Sequence, residues 1–316
     1  MPKEIDRQIA DCIKSSQRCL IVSHVRPDSD AVGSILGLGL ALKLMGKDVQ
    51  MVLQDGADQF QHLPGSDAIT HSPEGNVDLV VVVDCSDPDR VGDVLDDYGK
   101  PDLVVDHHKT NLSFGTFNVV DSEQVATAAI LYDHMARWGL PLNSDIATCL
   151  LSGIVGDTIG FRTSNVTPDV MIRAAALMAL GGDLFTIYQE ELVAMTFDEA
   201  RYWGSGLSRL ALKDHLIWTS LTLADREEIG YAGNDDADLV NVLSSVREAE
   251  IALIFVEQPQ NKVKVSWRAK PGRDVSEIAF KFGGGGHAAA AGADIDGDLN
   301  EVRQRVLEET RKLVNK

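Results

Sequence analysis

The chain has 316 residues, 44% of them hydrophobic, with 29 Lys and Arg against 48 Asp and Glu and a formal net charge of −19. That length suits an α/β core with a smaller second domain, and the charge excludes the broad basic surface with which a protein grips long nucleic acid. No apolar run approaches a membrane span, since the strongest, Val77–Val83, is broken by Asp78.

The N-terminal stretch MPKEIDRQIADCIKSSQRCLIVSH scatters its charges and lacks an apolar core or a small-residue cleavage site, so it is not expected to be a secretory signal. Cys12, Cys19, Cys85 and Cys149 show no CxxC spacing and lie in or beside apolar stretches, which reads as reduced thiols in a cytoplasmic protein. Arg18–Ser23 predicts a strand, Ala31–Met45 a helix stopped by Gly46, and Asp48–Leu53 a second strand. Val77–Val83 has the continuous apolar character of a buried parallel strand, and Asp102–Val105 follows as another. Strands alternating with helices imply βαβ units and a parallel sheet. From Glu123 to about Glu191 the pattern is mostly helical.

Periodicity weakens around Thr196–Leu207, which predicts a first domain over 1–195, a linker over 196–212 and a second domain over 213–316. The charge divides unevenly. Residues 1–195 hold 13 basic against 28 acidic side chains, a net of −15, and residues 196–316 hold 16 against 20, a net of −4. In the second domain, strands are expected at Leu216–Leu223, Ile251–Val256 and Val263–Ala269, and helices at Asp236–Ala249, Ser276–Phe282 and Leu299–Val314. A compact α/β domain is the expected result.

Acidic and imidazole side chains recur where these strands end, which is where open parallel sheets collect ligands. Ser23-His24-Val25-Arg26-Pro27-Asp28-Ser29-Asp30 follows the first strand, Asp84 the buried one, and Asp106-His107-His108 the next, while Asp157 follows an apolar helical stretch. A single carboxylate in such a place is most often a turn or cap residue. Four clusters at corresponding ends are not explained that way, because desolvated neighbouring carboxylates repel unless a cation lies between them. Oxygen donors plus imidazole without thiolate suit Mn²⁺ or Mg²⁺ better than structural zinc. Cys85, beside Asp84 but without a basic neighbour in sequence, reads as packing.

Between Lys262 and Lys281 lies the most basic segment, with Lys262, Lys264, Arg268, Lys270, Arg273 and Lys281 against Asp274 and Glu277. On a strand, Lys262, Lys264, Ser266 and Arg268 share one face and Val263, Val265 and Trp267 the other. The polar face is either that of an ordinary amphipathic strand or a phosphate grip led by Arg268, whose guanidinium can bind phosphate bidentately. Gly283–Gly286 precede His287 and a predicted small-residue helix start at Ala288–Ala291, which reads as a loop that lets backbone N–H groups approach a substrate. Arg26 and Arg162 sit beside the acidic motifs, positioned to contact substrate or to pair with a neighbouring carboxylate.

The segments SHVRPDSDAVGS, VVVVDCSD, VDHHKTN and GIVGDTIGF, in this order, resemble the four motifs of the DHH superfamily of phosphoesterases, and GGGGH resembles the signature of the DHH-associated C-terminal domain. FRTSNVTPDVMIRAA and KVKVSWRAKPGRDVSEIAFKFGGGGH resemble the nano-RNase and pAp-phosphatase subgroup. The resemblance spans residues 20 to 292. It implies an N-terminal parallel-sheet domain and a smaller α/β domain across a cleft, with two divalent metal ions, Mn²⁺ first and Mg²⁺ or Co²⁺ as alternatives. It further implies that His24 and Asp28 bind one metal, that Asp30, His107 and Asp157 bind the other, and that Asp84 bridges them. His108 would face the scissile phosphate, Asp106 would orient the histidines, and Gly284, Gly285, Gly286 and His287 would contact the substrate with Lys264, Ser266, Arg268 and Arg162. Three departures stand out: alanines after His287, Ser29 where relatives often carry glycine, and Ile159 after Thr158.

The implied activity is hydrolysis of short oligoribonucleotides to mononucleotides and dephosphorylation of 3′-phosphoadenosine 5′-phosphate. Hydrolysis of linear or cyclic dinucleotide messengers and non-catalytic nucleotide binding are the alternatives; the intact ligand set argues against the latter. Long nucleic acid and membranes are not expected partners, and a homodimer is compatible with the sequence.

Overall fold

The apolar run before Asp84 forms one of the two central strands of a parallel sheet. The computed structural model describes residues 4–314, so Met1–Lys3, at the head of the stretch read for a leader, lie outside the described residues. The chain divides into two units, Met1–Ala194 and Met195–Lys316. The first unit contains β1 (Arg18–Val22), β2 (Asp48–Val52), β3 (Ile69–Thr70), β4 (Leu79–Val83), β5 (Leu103–Asp106) and β6 (Phe117–Val120), all parallel in the order β3-β2-β1-β4-β5-β6. From β1 the chain winds outward to β3, then returns to β4 and winds the other way to β6. The switch point lies between β1 and β4, whose register pairs Val22 with Val82.

Helix α1 (Glu4–Ser15) precedes β1 where no helix was expected, while α2 (Ser29–Leu44), α3 (Thr127–Trp138), α4 (Ser144–Asp157) and α5 (Pro168–Ala179) follow the expected helical stretches; α6 (Leu184–Ile187) continues into a π-helical turn at Tyr188–Val193. Helices α2 and α4 pack closely because glycine lies where they meet. A Cβ on Gly33 would fall 2.3 Å from the Cys149 carbonyl oxygen, and one on Gly153 would fall 2.6 Å from Asp30 Oδ1. Among the described residues no single helix is long and apolar enough to cross a membrane.

The stretch expected as a linker is instead helix α7 (Phe197–Leu207) followed by β7 (Ala211–Lys213). A capping box between Thr196 and Glu199 starts this helix, and its buried Tyr202 and Gly206 compensate for its weak periodicity. The second unit continues with β8 (Leu216–Leu221), α8 (Leu223–Ile229), α9 (Leu239–Ser244), β9 (Ile251–Gln258), β10 (Lys262–Ala269), α10 (Ser276–Lys281), β11 (Gly285–His287), β12 (Ala290–Asp296) and α11 (Leu299–Val314). Its sheet runs β11-β12-β10-β9-β8-β7, parallel only between β8 and β9. One face packs Phe255, Val265 and Trp267 on α10 and α11; the other packs Ile254 and Val256 with Tyr202, Leu239 and Leu243.

The glycine run is therefore no loop ahead of a helix. Gly285–His287 form an edge strand, and Ala290 opens a strand in which Ala291, Ala293 and Ile295 alternate inward. Gly284 lies against its neighbour so closely that a Cβ there would meet the Gly292 carbonyl oxygen at 2.0 Å. A helix start at Ala288–Ala291 is excluded because this backbone pairs with β10 and β11.

Candidate metal and substrate site

Open parallel sheets bind ligands beyond the carboxyl ends of the strands at the switch point. His24 leaves β1, Asp84 leaves β4, and Asp106 ends β5 directly before His107. The buried His24 ring directs Nδ1 at the Val25 carbonyl oxygen, 2.9 Å away, and turns Nε2 toward Asp28 Oδ2 at 3.8 Å and Asp84 Oδ2 at 3.6 Å. His107 Nε2 lies 3.2 Å from Asp157 Oδ2, 3.6 Å from Asp84 Oδ1 and 3.9 Å from Asp30 Oδ2. Asp84 thus offers one oxygen to each histidine.

Three groups of three could each hold a cation: His24 with Asp28 and Asp84, Asp30 with His107 and Asp157, and Asp84 with His107 and His108. Within each, the donor atoms lie no more than 4.8 Å apart. Two carboxylates at that spacing repel by about 3–4 kcal/mol at an effective dielectric of ~20, which a cation between them reverses. The first two groups contain the residues expected for the two metals.

The surrounding chain fixes these carboxylates. Asp28 caps α2, accepting the N–H of Asp30 at 3.2 Å and of Ala31 at 3.1 Å. Asp30, fully buried, accepts the N–H groups of Thr127 and Ala128 at the start of α3, at 2.6 and 2.9 Å. Asp84 has a left-handed φ of 53°, a strained conformation for this residue, and accepts the Thr127 hydroxyl at 3.0 Å. Asp157 closes α4 ahead of a turn in which Ile159, Gly160 and Phe161 all have positive φ; Tyr188 donates its hydroxyl to the Gly160 carbonyl at 2.9 Å. The Ile159 departure therefore sits in strained backbone. Ser29 packs against Gly156, where a Cβ would fall 2.4 Å from the serine Cβ.

Burial drives the Asp30 carboxyl well above the usual carboxylate range, and the charges of Asp84 and Asp157 push it further. Asp157 is raised by burial first and then by Asp84 and Asp28. At Asp84 burial acts the same way but is outweighed by the pairing with His24 and the charges of His107 and His108, so its carboxyl lies low. His24 is raised even though burial opposes it, because Asp84, the Val25 carbonyl and Asp28 favour its charged form. The cluster stabilises positive charge wherever its donors converge.

Asp106, fully buried, binds His108 Nδ1 at 2.7 Å through Oδ1 and accepts the Asn111 amide at 2.6 Å through Oδ2. This contact raises the His108 pKa and, with Nδ1 as donor, leaves Nε2 free. Sequence reasoning missed Asn111 and Thr127. Asn111 stands inside a quoted motif and could have been found; Thr127 carries no signal beyond a small-residue helix start.

In the second unit, Lys262, Lys264, Ser266 and Arg268 share the β10 face opposite the buried Val263, Val265 and Trp267. The register sets Arg268 opposite Ala290 and Ala290 opposite His287, with Ser266, Gly292 and Gly285 in the adjoining row. Arg268 and His287 thus flank a floor that carries no side chain larger than methyl. Arg268 Nε donates to Asn241 Oδ1 at 3.0 Å. Lys264, Gly283, Gly284 and Asp294 line a cavity of about 240 Å³. Other cations of the strip are committed elsewhere: Lys270 to the Val246 and Arg247 carbonyls, Arg273 to Glu250 and the end of α11, Lys281 to Glu309. Arg162 is exposed in the turn after Asp157, and Arg26, also exposed, lies beside a cavity of about 460 Å³ formed with Asp55–Gln59.

The sequence matches the DHH family, N-terminal domain, over residues 18–154 and the DHHA1 domain over residues 225–316. A relative from Thermus thermophilus, described as the bifunctional oligoribonuclease and PAP phosphatase NrnA, is 36% identical over 313 residues, covering 97% of this chain and 93% of its own. Among solved structures, an exopolyphosphatase-related protein from Bacteroides fragilis matches with a TM-score of 0.89 at 23% identity, over 99% of this chain and 98% of that one. The exonuclease RecJ bound to manganese matches with a TM-score of 0.53 at 16% identity, over 99% and 95%. At these identities the two structures establish a shared fold.

Proposed function

The chain belongs to the DHH family, with a DHHA1 domain toward its C-terminal end, and from that membership we propose a metal-dependent phosphodiesterase that degrades short oligoribonucleotides to mononucleotides and dephosphorylates 3′-phosphoadenosine 5′-phosphate. The observation that carries this reading is the position of Asp84, whose two carboxylate oxygens face His24 and His107 separately. The donor set fits a pair of hard divalent cations, because among the described residues carboxylates and imidazoles converge, Asp30, Asp84 and His24 buried and the others partly exposed or exposed, with no thiolate in the groups. His24 and Asp28 would hold one, Asp30, His107 and Asp157 the other, and Asp84 both. Bound there, Mn²⁺, or Mg²⁺ or Co²⁺ in its place, would supply a water of lowered pKa and neutralise phosphate charge.

The chain's own groups position the rest. Asp106 holds His108 through Nδ1, so that Nε2 faces the phosphate as a donor as charge builds on its oxygens. The Arg268–His287 row is the nucleotide-binding surface: Arg268 takes a phosphate, His287 a phosphate or sugar, and the Ala290–Gly292 floor admits a ring or ribose without steric conflict. The acidic exterior favours substrates carrying few phosphates.

The test is a substrate panel with Mn²⁺: a dinucleotide, a five-mer, a long RNA, 3′-phosphoadenosine 5′-phosphate, a cyclic dinucleotide and pyrophosphate. Highest kcat/KM is expected on the short RNAs, with turnover of 3′-phosphoadenosine 5′-phosphate. Preference for the cyclic dinucleotide or pyrophosphate would overturn the assignment.

A further inference from the structure

We infer that Tyr188 is a positioning residue for Asp157: through the Gly160 carbonyl it locks the left-handed turn that ends α4, and so fixes where this carboxylate meets a cation. The inference rests on the proposed metal-dependent reading and adds to it a residue outside the donor set.

Most carboxylates of the site have donors of their own. Asp28 and Asp30 accept backbone N–H groups, Asp84 accepts the Thr127 hydroxyl, and Asp106 binds His108 and Asn111. Asp157 differs. Among the described residues no hydrogen bond reaches its carboxylate, and its ionic contact is with His107 Nε2 at 3.2 Å. A carboxylate without donors is aimed by its backbone, and Asp157 is the last residue of α4 before a run of left-handed backbone. Ile159, Gly160 and Phe161 have φ of 49°, 66° and 64°. Single residues adopt this conformation, most often glycine, whereas a run that includes a β-branched residue persists only with outside support. Within the turn, the Thr158 hydroxyl accepts the Phe161 N–H at 3.0 Å and the Thr158 carbonyl accepts the Arg162 N–H at 2.7 Å. The Gly160 carbonyl has one partner among the described residues, the Tyr188 hydroxyl at 2.9 Å.

Tyr188 is itself held in place. It opens the π-helical segment, a rare geometry that recurs at functional sites. Three residues on, Glu191, its side chain only 4% exposed, accepts the Ser152 hydroxyl of α4 at 2.6 Å and lies 3.0 Å from His62 Nε2. A Cβ on Gly160 would fall 2.8 Å from the Tyr188 hydroxyl and 3.0 Å from Leu192 Cδ1, so the segment lies directly against the turn. It therefore ties the body of α4, at Ser152, to the turn beyond its end, at Gly160. Asp157 lies between the two points.

The test is Mn²⁺ binding to the full chain by calorimetry, for the wild type, Tyr188→Phe, Glu191→Gln and a variant with Tyr188 replaced by 4-aminophenylalanine. Tyr188→Phe keeps the ring and loses the donor. It should weaken one Mn²⁺ site about tenfold and leave the other within about twofold, while the melting temperature falls by no more than a few degrees. Its kcat on a dinucleotide should be low at limiting Mn²⁺ and recover at saturating Mn²⁺ with KM unchanged, which a general loss of structure would not produce. 4-Aminophenylalanine, which restores a donor to the ring, should restore the affinity. Glu191→Gln disturbs the same segment without touching the turn, and should lower the melting temperature while leaving both sites within about twofold of wild type. Equal Mn²⁺ affinity in the wild type and Tyr188→Phe, a loss that 4-aminophenylalanine does not reverse, or an equal loss in Glu191→Gln would each overturn the inference. A wild type that binds no Mn²⁺ would overturn the metal-dependent reading, and the inference with it.

Discussion

Thr127 donates its hydroxyl to Asp84 Oδ1 at 3.0 Å. Through its backbone N–H it also holds Asp30 at 2.6 Å. One residue at the start of α3 thus orients two carboxylates, one just past the end of β4 and one in the first turn of α2. Helix N-termini favour negative charge there, and groups that aim a ligand are worth nearly as much as the ligand itself.

Thr127→Val keeps the shape and the backbone donor but removes the hydroxyl. Mn²⁺ affinity measured by calorimetry should weaken about tenfold, while the melting temperature falls by no more than a few degrees. Unchanged affinity would mean that the Asp84 orientation is set without Thr127.

The Arg268–His287 row should govern binding more than chemistry. Arg268→Ala and His287→Ala should raise KM for a dinucleotide about tenfold or more and change kcat less, because contacts made equally in ground and transition states appear in KM. Arg268→Lys should restore little, since its bidentate geometry is lost. A fall in Mn²⁺ affinity in either alanine variant would contradict this division.

Much of this site is legible in sequence because its acidic and imidazole clusters follow apolar runs long enough to be recognised as elements, as Asp84 follows the strand residues Val80–Val83 and Asp157 ends an apolar helix. The parallel sheet and the β10 alternation are legible for the same reason of period. Less legible are elements whose packing is done by small side chains. In β12, Ala291 and Ala293 face inward with no branched residue to mark them before Ile295. In α7 the capping box was written as Thr196 and Glu199, yet Phe197 points outward at 77% exposure and blurs the helical face. Thr127 could not be found because nothing in a neutral hydroxyl 43 residues from Asp84 shows which carboxylate it meets.

Acid stability gives a test away from the site. Asp225 is held down to about 2, chiefly by the paired hydrogen bonds of Arg209, against an ordinary value of 3.8. A carboxyl depressed in the folded state contributes stability that is complete above its unfolded value and is lost as pH falls through the folded one. With the partly exposed Arg209 discounted, the pair contributes about 1–2 kcal/mol at neutral pH. Asp225→Asn should lower the urea midpoint at pH 7, and the gap to wild type should close between pH 4 and 2. A gap that is constant over that range would rule out linkage through this carboxylate.

Charge predicts how substrate length and salt interact. With a net −19, each phosphate beyond the bound ones meets repulsion, so kcat/KM should fall from a dinucleotide to an RNA of about twenty nucleotides. Raising ionic strength shortens the Debye length from ~10 Å at 0.1 M, which should lower the dinucleotide rate modestly and narrow the length penalty. A long RNA favoured at low salt, losing its advantage as salt rises, would reveal a basic track and contradict the assignment to short fragments.

The most direct measurement is dinucleotide hydrolysis with saturating Mn²⁺ by the wild type and by Asp84→Ala. Asp84 offers its two oxygens to the two histidine groups, so its loss should disperse the cation pair and cut kcat by about a thousandfold or more, with the fold retained because the residue lies at a strand end. A variant that keeps more than about a tenth of wild-type kcat, a barrier change under ~1.4 kcal/mol, would contradict a site built around this carboxylate.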